Sequence, residues 1–206
     1  MKNIIFDVDG TLWDTTEVVT RSWNKAILEV GGTSARVTPD ILRKEFGKPV
    51  DEIADDLFYD VNEKQRYFLM NKCFEYEHEA LKENMDNLLF PGVKETIEKL
   101  SEKCGLFIVS NCESGYIELF MKKSGVEKYI KDYECFGDTC KSKGENIKLV
   151  IERNNLDDAV YVGDTQGDYK AAMFAGVPFV FAKYGFGDVE NYDFVINDIK
   201  EILDLC

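Results

Sequence analysis

Residues 4–12 read Ile-Ile-Phe-Asp-Val-Asp-Gly-Thr-Leu, a short apolar run that leads into two aspartates, Asp7 and Asp9, and a glycine. The apolar run is typical of a buried strand, in which side chains at i and i+2 lie on the same face. The two carboxylates are therefore predicted to project together from the carboxyl end of the strand, where Gly10 lets the backbone turn. Such a pair suits a divalent metal ion, a covalent carboxylate nucleophile, or an acid beside a base.

Apolar, β-rich runs recur along the chain and alternate, after residue 90, with stretches of helical periodicity. Strands that alternate with helices form a parallel sheet with helices on both faces. Right-handed crossovers place the carboxyl ends of these strands at one edge, where ligands of such sheets bind. The predicted fold class is therefore α/β, with a Rossmann-like parallel sheet core. The predicted strands cover residues 4–6, 106–109, 132–136, 160–162, 179–181 and 194–196.

Residues 16–90 break this alternation, because they contain several helical stretches and no convincing strand. The sequence of residues 14–17 has the form of a capping box and predicts a helix that stops at Gly31. Pro91 and Gly92 mark the return to the alternating pattern. We therefore predict an inserted α-helical domain over residues 16–90, and a core domain made of residues 1–15 and 91–206.

Composition excludes several classes of protein. The 206 residues include 39 acidic and 25 basic side chains, with a formal net charge of −14. A nucleic-acid binder gathers positive charge against phosphates, so no nucleic-acid partner is expected. No apolar run approaches a membrane span and no secretory signal follows Met1, so we expect no membrane partner and a cytoplasmic location. Six cysteines without a CxxC pattern and a single histidine, His78, give little support to structural zinc or to a histidine-activated nucleophile.

Polar residues of the kind that binds anions follow two further predicted strands. Ser110 and Asn111 end the second strand, and a hydroxyl and an amide beside a helix start can form an anion-binding site. Lys143 directly precedes a predicted helix, where the helix dipole disfavours a cation unless it faces an anion or the aspartate pair. Lys141 is a competing candidate for this role, and both lysines are also compatible with a solvated surface.

Two more carboxylates, Asp164 and Asp168, follow the strand predicted at residues 160–162. As an N-cap and a first-turn acid they could serve only to start the next helix. At the carboxyl end of a strand beside Asp7, they could equally bind a metal ion.

The order and spacing of these groups resemble the haloacid dehalogenase-like hydrolase superfamily. Residues 7–12 look like its first motif, and Ser110, Lys143 and residues 163–168 fit its second, third and fourth motifs. The resemblance covers residues 1–15 and 91–206. The insert is similar to the helical cap found between the first two motifs in the phosphoglycolate phosphatase-like and β-phosphoglucomutase-like branch.

The resemblance implies a role for each of these residues in a phosphatase that acts on a small phosphorylated metabolite. Asp7 would attack phosphorus to form an aspartyl-phosphate, and Asp9 would protonate the leaving alcohol and then activate water. Mg²⁺ would be held by Asp7, the backbone carbonyl of Asp9 and Asp164, with Asp168 nearby. The transferring phosphoryl oxygens would be bound by Ser110, Lys143 and backbone N–H groups near Asn111.

Other reactions are weighed from particular residues. Asp9 argues against removal of halide, because halide leaves without a proton. A β-phosphoglucomutase-like phosphosugar mutase is the main alternative, although Val19 stands where such enzymes usually carry a histidine. Residues 46–49 form a turn in which Lys48 either meets an anionic end of the substrate or belongs to an ordinary helix–helix connection. A non-catalytic protein that binds or carries a phosphoryl signal is a third interpretation.

Overall fold

In the computed structural model, which describes all residues from 1 to 206, the chain divides into two compact units. One unit comprises Met1–Asp14 and Asn87–Cys206, and the other comprises Thr15–Asp86.

The first unit is built on six strands. They are β1 (Asn3–Phe6), β2 (Gly105–Ser110), β3 (Asp132–Cys135), β4 (Ala159–Gly163), β5 (Phe179–Ala182) and β6 (Phe194–Ile196). All neighbouring strands pair in parallel, in the order β3-β2-β1-β4-β5-β6. The chain leaves β1 towards one side of the sheet and later returns to the other side, so the carboxyl end of β1 lies at the switch point of the strand order. Open parallel sheets bind their ligands at this point.

The sheet is central to the hydrophobic core. Strands β2, β4 and β5 are buried along their whole length, as expected when helices cover both faces of a parallel sheet. Tyr161 and Phe179 of neighbouring strands pack in one cluster with Ile147 and Ala172, which belong to helices. The predicted α/β class with a Rossmann-like parallel core is confirmed.

Five helices and two short 3₁₀ segments complete the first unit. The helices are α5 (Val93–Ser101), α6 (Tyr116–Ser124), α7 (Phe136–Thr139), α8 (Lys143–Asn154) and α9 (Gln166–Ala175), and the 3₁₀ segments are Glu127–Tyr129 and Ile199–Leu205. The numbering continues from the four helices of the second unit.

The second unit is entirely helical: α1 (Thr16–Val30), α2 (Pro39–Glu45), α3 (Val50–Leu57) and α4 (Glu63–Glu83). Helices α1 and α4 are joined by a buried polar contact and an aromatic one. The indole of Trp23 donates a hydrogen bond to Glu77 at 2.7 Å and its ring meets Phe74 edge-on at 6.0 Å. The unit therefore has a core of its own.

The helical unit is bounded differently from the predicted insert. The prediction assigned Thr15 to the core domain and residues 87–90 to the insert, whereas Thr15 belongs to the second unit and residues 87–90 belong to the first. The backbone explains the difference, because Asp14 N–H donates to the Leu88 carbonyl at 2.8 Å and Phe90 N–H to the Leu12 carbonyl at 3.1 Å. These two bonds pair the segment before the insert with the segment after it.

The start of α1 also departs from expectation. The helix begins at Thr16 with Thr15 as its N-cap, one residue later than a capping box over residues 14–17 implies, and Thr15 has a helical backbone conformation without a side-chain capping hydrogen bond. A capping threonine needs an extended backbone to direct its oxygen at the first helical N–H groups. The predicted stop at Gly31 is correct, and this residue has a positive φ of 67°.

No helix in the structure combines the length and the apolar composition needed to cross a membrane.

Candidate active site

Asp7 and Asp9 follow β1 at the switch point of the sheet, but their carboxylates have different surroundings. Asp7 is almost fully buried, and its N–H continues the sheet by donating to the Val162 carbonyl at 2.8 Å. Beyond it the chain turns sharply at Gly10, whose φ is 79°. Asp9 lies in this turn and is less buried than Asp7. The two residues that form one pair in the sequence can therefore perform separate tasks.

Lys143 is the cation of the site. It is the first residue of α8, it is 5% exposed, and its Nζ lies 3.0 Å from Asp7 Oδ1 and 2.6 Å from Asp168 Oδ1. The lysine at a helix N-terminus, unfavourable for the dipole, thus faces carboxylates as the sequence suggested. Lys141, the competing candidate, is exposed.

Asp168 is held rigidly at the start of α9. Its Oδ2 accepts hydrogen bonds from Thr165 N–H at 2.9 Å and from Thr165 Oγ1 at 2.7 Å, while Thr165 Oγ1 accepts from Asp168 N–H. This reciprocal capping box leaves Oδ1 directed at Lys143. Asp168 is therefore the first-turn acid expected from the sequence and also belongs to the charged cluster, whereas Thr165, not the predicted Asp164, is the N-cap. A metal-binding role of Asp168 stays a prediction.

The carboxylate of Asp164, directly after β4, is held by a hydrogen bond from a backbone N–H and by close contact with two glycines. Its Oδ2 accepts the N–H of Phe186 at 2.7 Å. A Cβ added at Gly10 would lie 2.2 Å from this oxygen, and one added at Gly185 would lie 2.3 Å from Asp164 Cβ. The carboxylate can occupy its position only because both neighbours are glycines.

Three of these carboxylates form a buried cluster with the chemistry of a divalent-cation site. Oxygens of Asp7, Asp164 and Asp168 all lie within 4.8 Å of one another, and each residue is buried. Three carboxylates against the single ammonium of Lys143 leave two negative charges uncompensated when all are ionised. Hard oxygen ligands with excess negative charge fit Mg²⁺, so the donor set is compatible with this ion.

The excess of carboxylates over cations in this cluster also shifts the pKa values of its members. Burial raises the pKa of Asp7 to about 6, an effect that Lys143 opposes and Asp168 reinforces. Burial, together with the charges of Asp168 and Asp7, holds the pKa of Asp164 well above its usual range. Burial disfavours the charged form of Lys143, but Asp168 and Asp7 outweigh this cost and raise its pKa. A bound cation would favour the ionised carboxylates.

Ser110 and Asn111 lie at the carboxyl end of β2, next to β1. Strands β1 and β2 pair in parallel with Phe6 opposite Ile108. Ser110, two residues further along β2, therefore lies just beyond the end of β1. Its buried hydroxyl donates a hydrogen bond to Asp7, which lowers the pKa of that carboxyl. Asn111 follows in the loop and is partly exposed. A role of these two residues in binding phosphate stays a prediction.

Lys48 belongs to the second unit and is already paired. Its Nζ lies 2.8 Å from Glu45 Oε2 and 2.8 Å from Asp56 Oδ2. The predicted contact with an anionic end of the substrate stays a prediction, and these two carboxylates would compete with any such anion.

Sequence reasoning missed three contributors to the site: Trp13, Tyr116 and the backbone of Phe186. Trp13 Nε1 donates to Asp9 Oδ1 at 3.1 Å, and the Tyr116 hydroxyl donates to the same oxygen at 2.7 Å. The proximity of Trp13 to the aspartate pair in the chain was an available signal. Tyr116 lies 107 positions from Asp9, and a backbone N–H leaves no mark in the side-chain pattern.

A parallel sheet whose strand ends gather buried carboxylates and a lysine at its switch point defines an α/β enzyme. The chain belongs to the haloacid dehalogenase-like hydrolases, since the model of that family matches residues 4–182. The resemblance identified from the motifs is thereby confirmed.

Individual relatives and solved structures agree with this family. The chain is 26% identical to a phosphoglycolate phosphatase of Vibrio parahaemolyticus, over 100% of this chain and 96% of that protein. It is 27% identical to a phosphoglycolate phosphatase of Escherichia coli O157:H7, over 98% and 91%. Among solved structures, a haloacid dehalogenase-like family hydrolase from Streptococcus pneumoniae shares the fold with a TM-score of 0.85 at 20% identity, covering 100% of this chain and 98% of the other.

Proposed function

We propose that this hydrolase is a Mg²⁺-dependent phosphatase that cleaves a small phosphomonoester through an aspartyl-phosphate on Asp7. The observation that supports this most strongly is the arrangement around Lys143, whose ammonium bridges Asp7 and Asp168 inside a buried acidic cluster. An anionic phosphoryl group can approach a carboxylate nucleophile only where positive charge is concentrated. Lys143 supplies one such charge, and the cluster has the ligands for a second.

In this proposal the chain's own residues divide the work. An oxygen of Asp7 bonds to phosphorus while the ester bond breaks and its electron pair passes to the leaving oxygen. Asp9 gives that oxygen its proton, and afterwards takes a proton from the water that hydrolyses the intermediate. Lys143 and Ser110 stabilise the phosphoryl oxygens as charge shifts onto them. Asp7 and Asp164, with the backbone carbonyl of Asp9, would hold Mg²⁺ beside Asp168, and the ion would neutralise phosphoryl charge.

Hydrolysis is favoured over the mutase alternative by the residue at position 19. Val19 is fully buried and apolar, so it offers no group that could move a proton during transfer between two positions of a sugar. The named relatives act on phosphoglycolate, and we propose a small phosphorylated acid of this kind as substrate. The inserted helical unit is proposed to serve as the cap and to carry groups that select the substrate, Lys48 among them.

A screen of phosphorylated metabolites, phosphoglycolate and p-nitrophenyl phosphate included, tests this function. We expect Mg²⁺-dependent release of inorganic phosphate from at least one monoester, and no release when EDTA removes the metal. Conversion of a sugar phosphate to its isomer, without net phosphate release, would support the mutase instead. Absence of both activities would contradict the proposal and favour a phosphoryl-binding protein.

Mg²⁺ is expected to stabilise the folded protein against heat. An ion that binds only the folded state at 100 times its Kd adds about 2.7 kcal/mol to the free energy of unfolding. Differential scanning calorimetry with and without Mg²⁺ measures this effect. In Asp164→Asn the stabilisation should disappear, although the metal-free variant should unfold no earlier than the metal-free wild type, because burial and the neighbouring carboxylates raise the pKa of Asp164 and so disfavour its ionised form in the fold.

Asp157→Asn is the matched control, since it removes an exposed carboxylate of the same unit. It should respond to Mg²⁺ as the wild type does. An equal response of Asp164→Asn and the wild type would show that Mg²⁺ binds elsewhere.

A further inference from the structure

One oxygen of Asp9 is held by two aromatic side chains. Trp13 Nε1 donates to Asp9 Oδ1 at 3.1 Å, and the Tyr116 hydroxyl donates to the same atom at 2.7 Å. Trp13 is 2% exposed and Tyr116 is 6% exposed. Both donors are thus buried while Asp9 is partly exposed, and the reduced contact with water strengthens the two hydrogen bonds.

The two donors are themselves fixed by packing. The Trp13 and Tyr116 rings meet edge-on with centroids 5.5 Å apart, and the Trp13 ring meets Phe120 in the same way at 5.0 Å. Tyr116 and Phe120 are four residues apart on α6, so they lie on one face of the helix. The donors therefore cannot follow Asp9 if it rotates.

Trp13 is also anchored through its backbone. Its carbonyl accepts the N–H of Gly10 at 3.0 Å, and its own N–H donates to the Val8 carbonyl at 3.2 Å. Asp9 and Trp13 thus belong to one hydrogen-bonded loop. Helix α6, which is distant in the sequence, packs against Trp13 through Tyr116 and Phe120.

We propose that Trp13 and Tyr116 are positioning residues that fix which oxygen of Asp9 delivers the proton to the leaving group. With two donors directed at Oδ1, that atom is favoured as the acceptor oxygen of the neutral acid. In this inference the acid's proton resides on Oδ2, and it passes to the leaving oxygen as the ester bond breaks. The inference rests on the proposed function, since it assumes that Asp9 acts as the acid.

Misplacing a catalytic group by about 1 Å can cost about 100-fold in rate. Loss of the Tyr116 hydroxyl should therefore matter wherever the leaving group needs a proton. It should matter little where the leaving group departs as a stable anion. This difference separates positioning of the acid from general support of the fold.

The test compares two substrates of similar size, benzyl phosphate and p-nitrophenyl phosphate, in Tyr116→Phe. The benzyl alkoxide needs a proton to leave, whereas p-nitrophenolate does not. We expect kcat/KM with Mg²⁺ to fall about 10- to 100-fold for benzyl phosphate and less than about 3-fold for p-nitrophenyl phosphate. The constant kcat/KM is chosen because it reports the step in which the leaving group departs.

Tyr133→Phe is the control, since it removes another tyrosine–carboxylate hydrogen bond of the same unit, from Tyr133 to Glu118 at 3.1 Å. It should leave both constants unchanged. Trp13→Phe removes the second donor and should reproduce the selective loss, which keeps the inference testable if Tyr116→Phe fails to fold.

The outcomes separate the inference from the proposed function. An active wild type in which Tyr116→Phe lowers both constants equally, or neither, would overturn the inference alone. A wild type that releases phosphate from neither ester under any metal condition would contradict the proposed function, and the inference with it.

Discussion

Asp7→Asn is expected to abolish turnover of every substrate while leaving the fold intact. The amide cannot form the covalent intermediate, and removal of a catalytic nucleophile costs at least about 10⁴-fold in rate. The fold should persist because Lys143 keeps its 2.6 Å contact with Asp168. The free energy of unfolding should even rise in metal-free buffer, since the ionised Asp7 carries a cost of burial. Steady-state assays and denaturant unfolding measure the two effects.

The exposed Asp157 again provides the control, and Asp157→Asn should keep full activity. A folded Asp7→Asn protein that retains substantial turnover would show that another group attacks phosphorus.

Lys143→Met is expected to remove both activity and stability. The substitution keeps the length of the side chain but leaves Asp7, Asp164 and Asp168 together without their cation. Breaking a buried ion pair by removing one partner costs about 3–5 kcal/mol. Urea unfolding in the presence of EDTA measures the loss. Activity should fall as well, because the phosphoryl group loses a positive charge that stabilises its transition state.

The stability loss in Lys143→Met should depend on pH. The pKa of Asp7 in the wild type is raised from 3.8 to about 6, so its ionised form is disfavoured in the folded state. A carboxyl of this kind destabilises the fold fully above its folded pKa and not at all below its unfolded one. Because Lys143 lowers the pKa of Asp7, the contribution of Asp7 to the loss should be largest at pH 8 and should vanish as the pH falls to about 6, below which Asp7 is protonated in both folded proteins.

Lys141→Met is the matched control, because Lys141 lies two residues away and is exposed. It should unfold as the wild type does at every pH. An equal effect of the two substitutions would indicate a general influence of charge near the start of α8.

The centre of the sheet could be predicted from the sequence because β2, β4 and β5 are buried along their whole length and read as nearly continuous apolar runs. Helix α7 (Phe136–Thr139) could not, since four residues are too few to show a period. The boundary at residues 87–90 was misplaced because these residues pair with the segment before the insert, a contact across more than 70 residues that local patterns do not carry.

The charged part of the site was predictable for a physical reason. Lys143 at a helix start is unfavourable for the helix dipole and the adjacent Asp7 and Asp9 repel each other, so these residues stood out against the local rules, whereas Asp164 and Asp168 also fitted an ordinary helix start. The capping signals located helix starts less precisely, since the N-cap of α1 is Thr15, one residue later than the pattern at residues 14–17 implies, and that of α9 is Thr165, one residue later than Asp164.

The hydrogen-bond donors that hold Asp9 and Asp164 in place could not be predicted from local sequence patterns. The Tyr116 hydroxyl, at the start of α6, donates a hydrogen bond to Asp9, and Phe186 contacts Asp164 through its backbone N–H alone. Neither contact follows from composition, period or motif, because each depends on how distant segments meet at the end of the sheet.

Chemical trapping of the intermediate tests the central claim most directly. The protein is mixed with Mg²⁺ and p-nitrophenyl phosphate, quenched during turnover and treated with borohydride, which reduces an acyl phosphate to an alcohol. Peptide mass spectrometry should then find homoserine in place of aspartate at position 7, with none in Asp7→Asn and none in protein that received no substrate. Homoserine at Asp9 or at any other carboxylate, or turnover without reduction at Asp7, would contradict an aspartyl-phosphate mechanism based on Asp7.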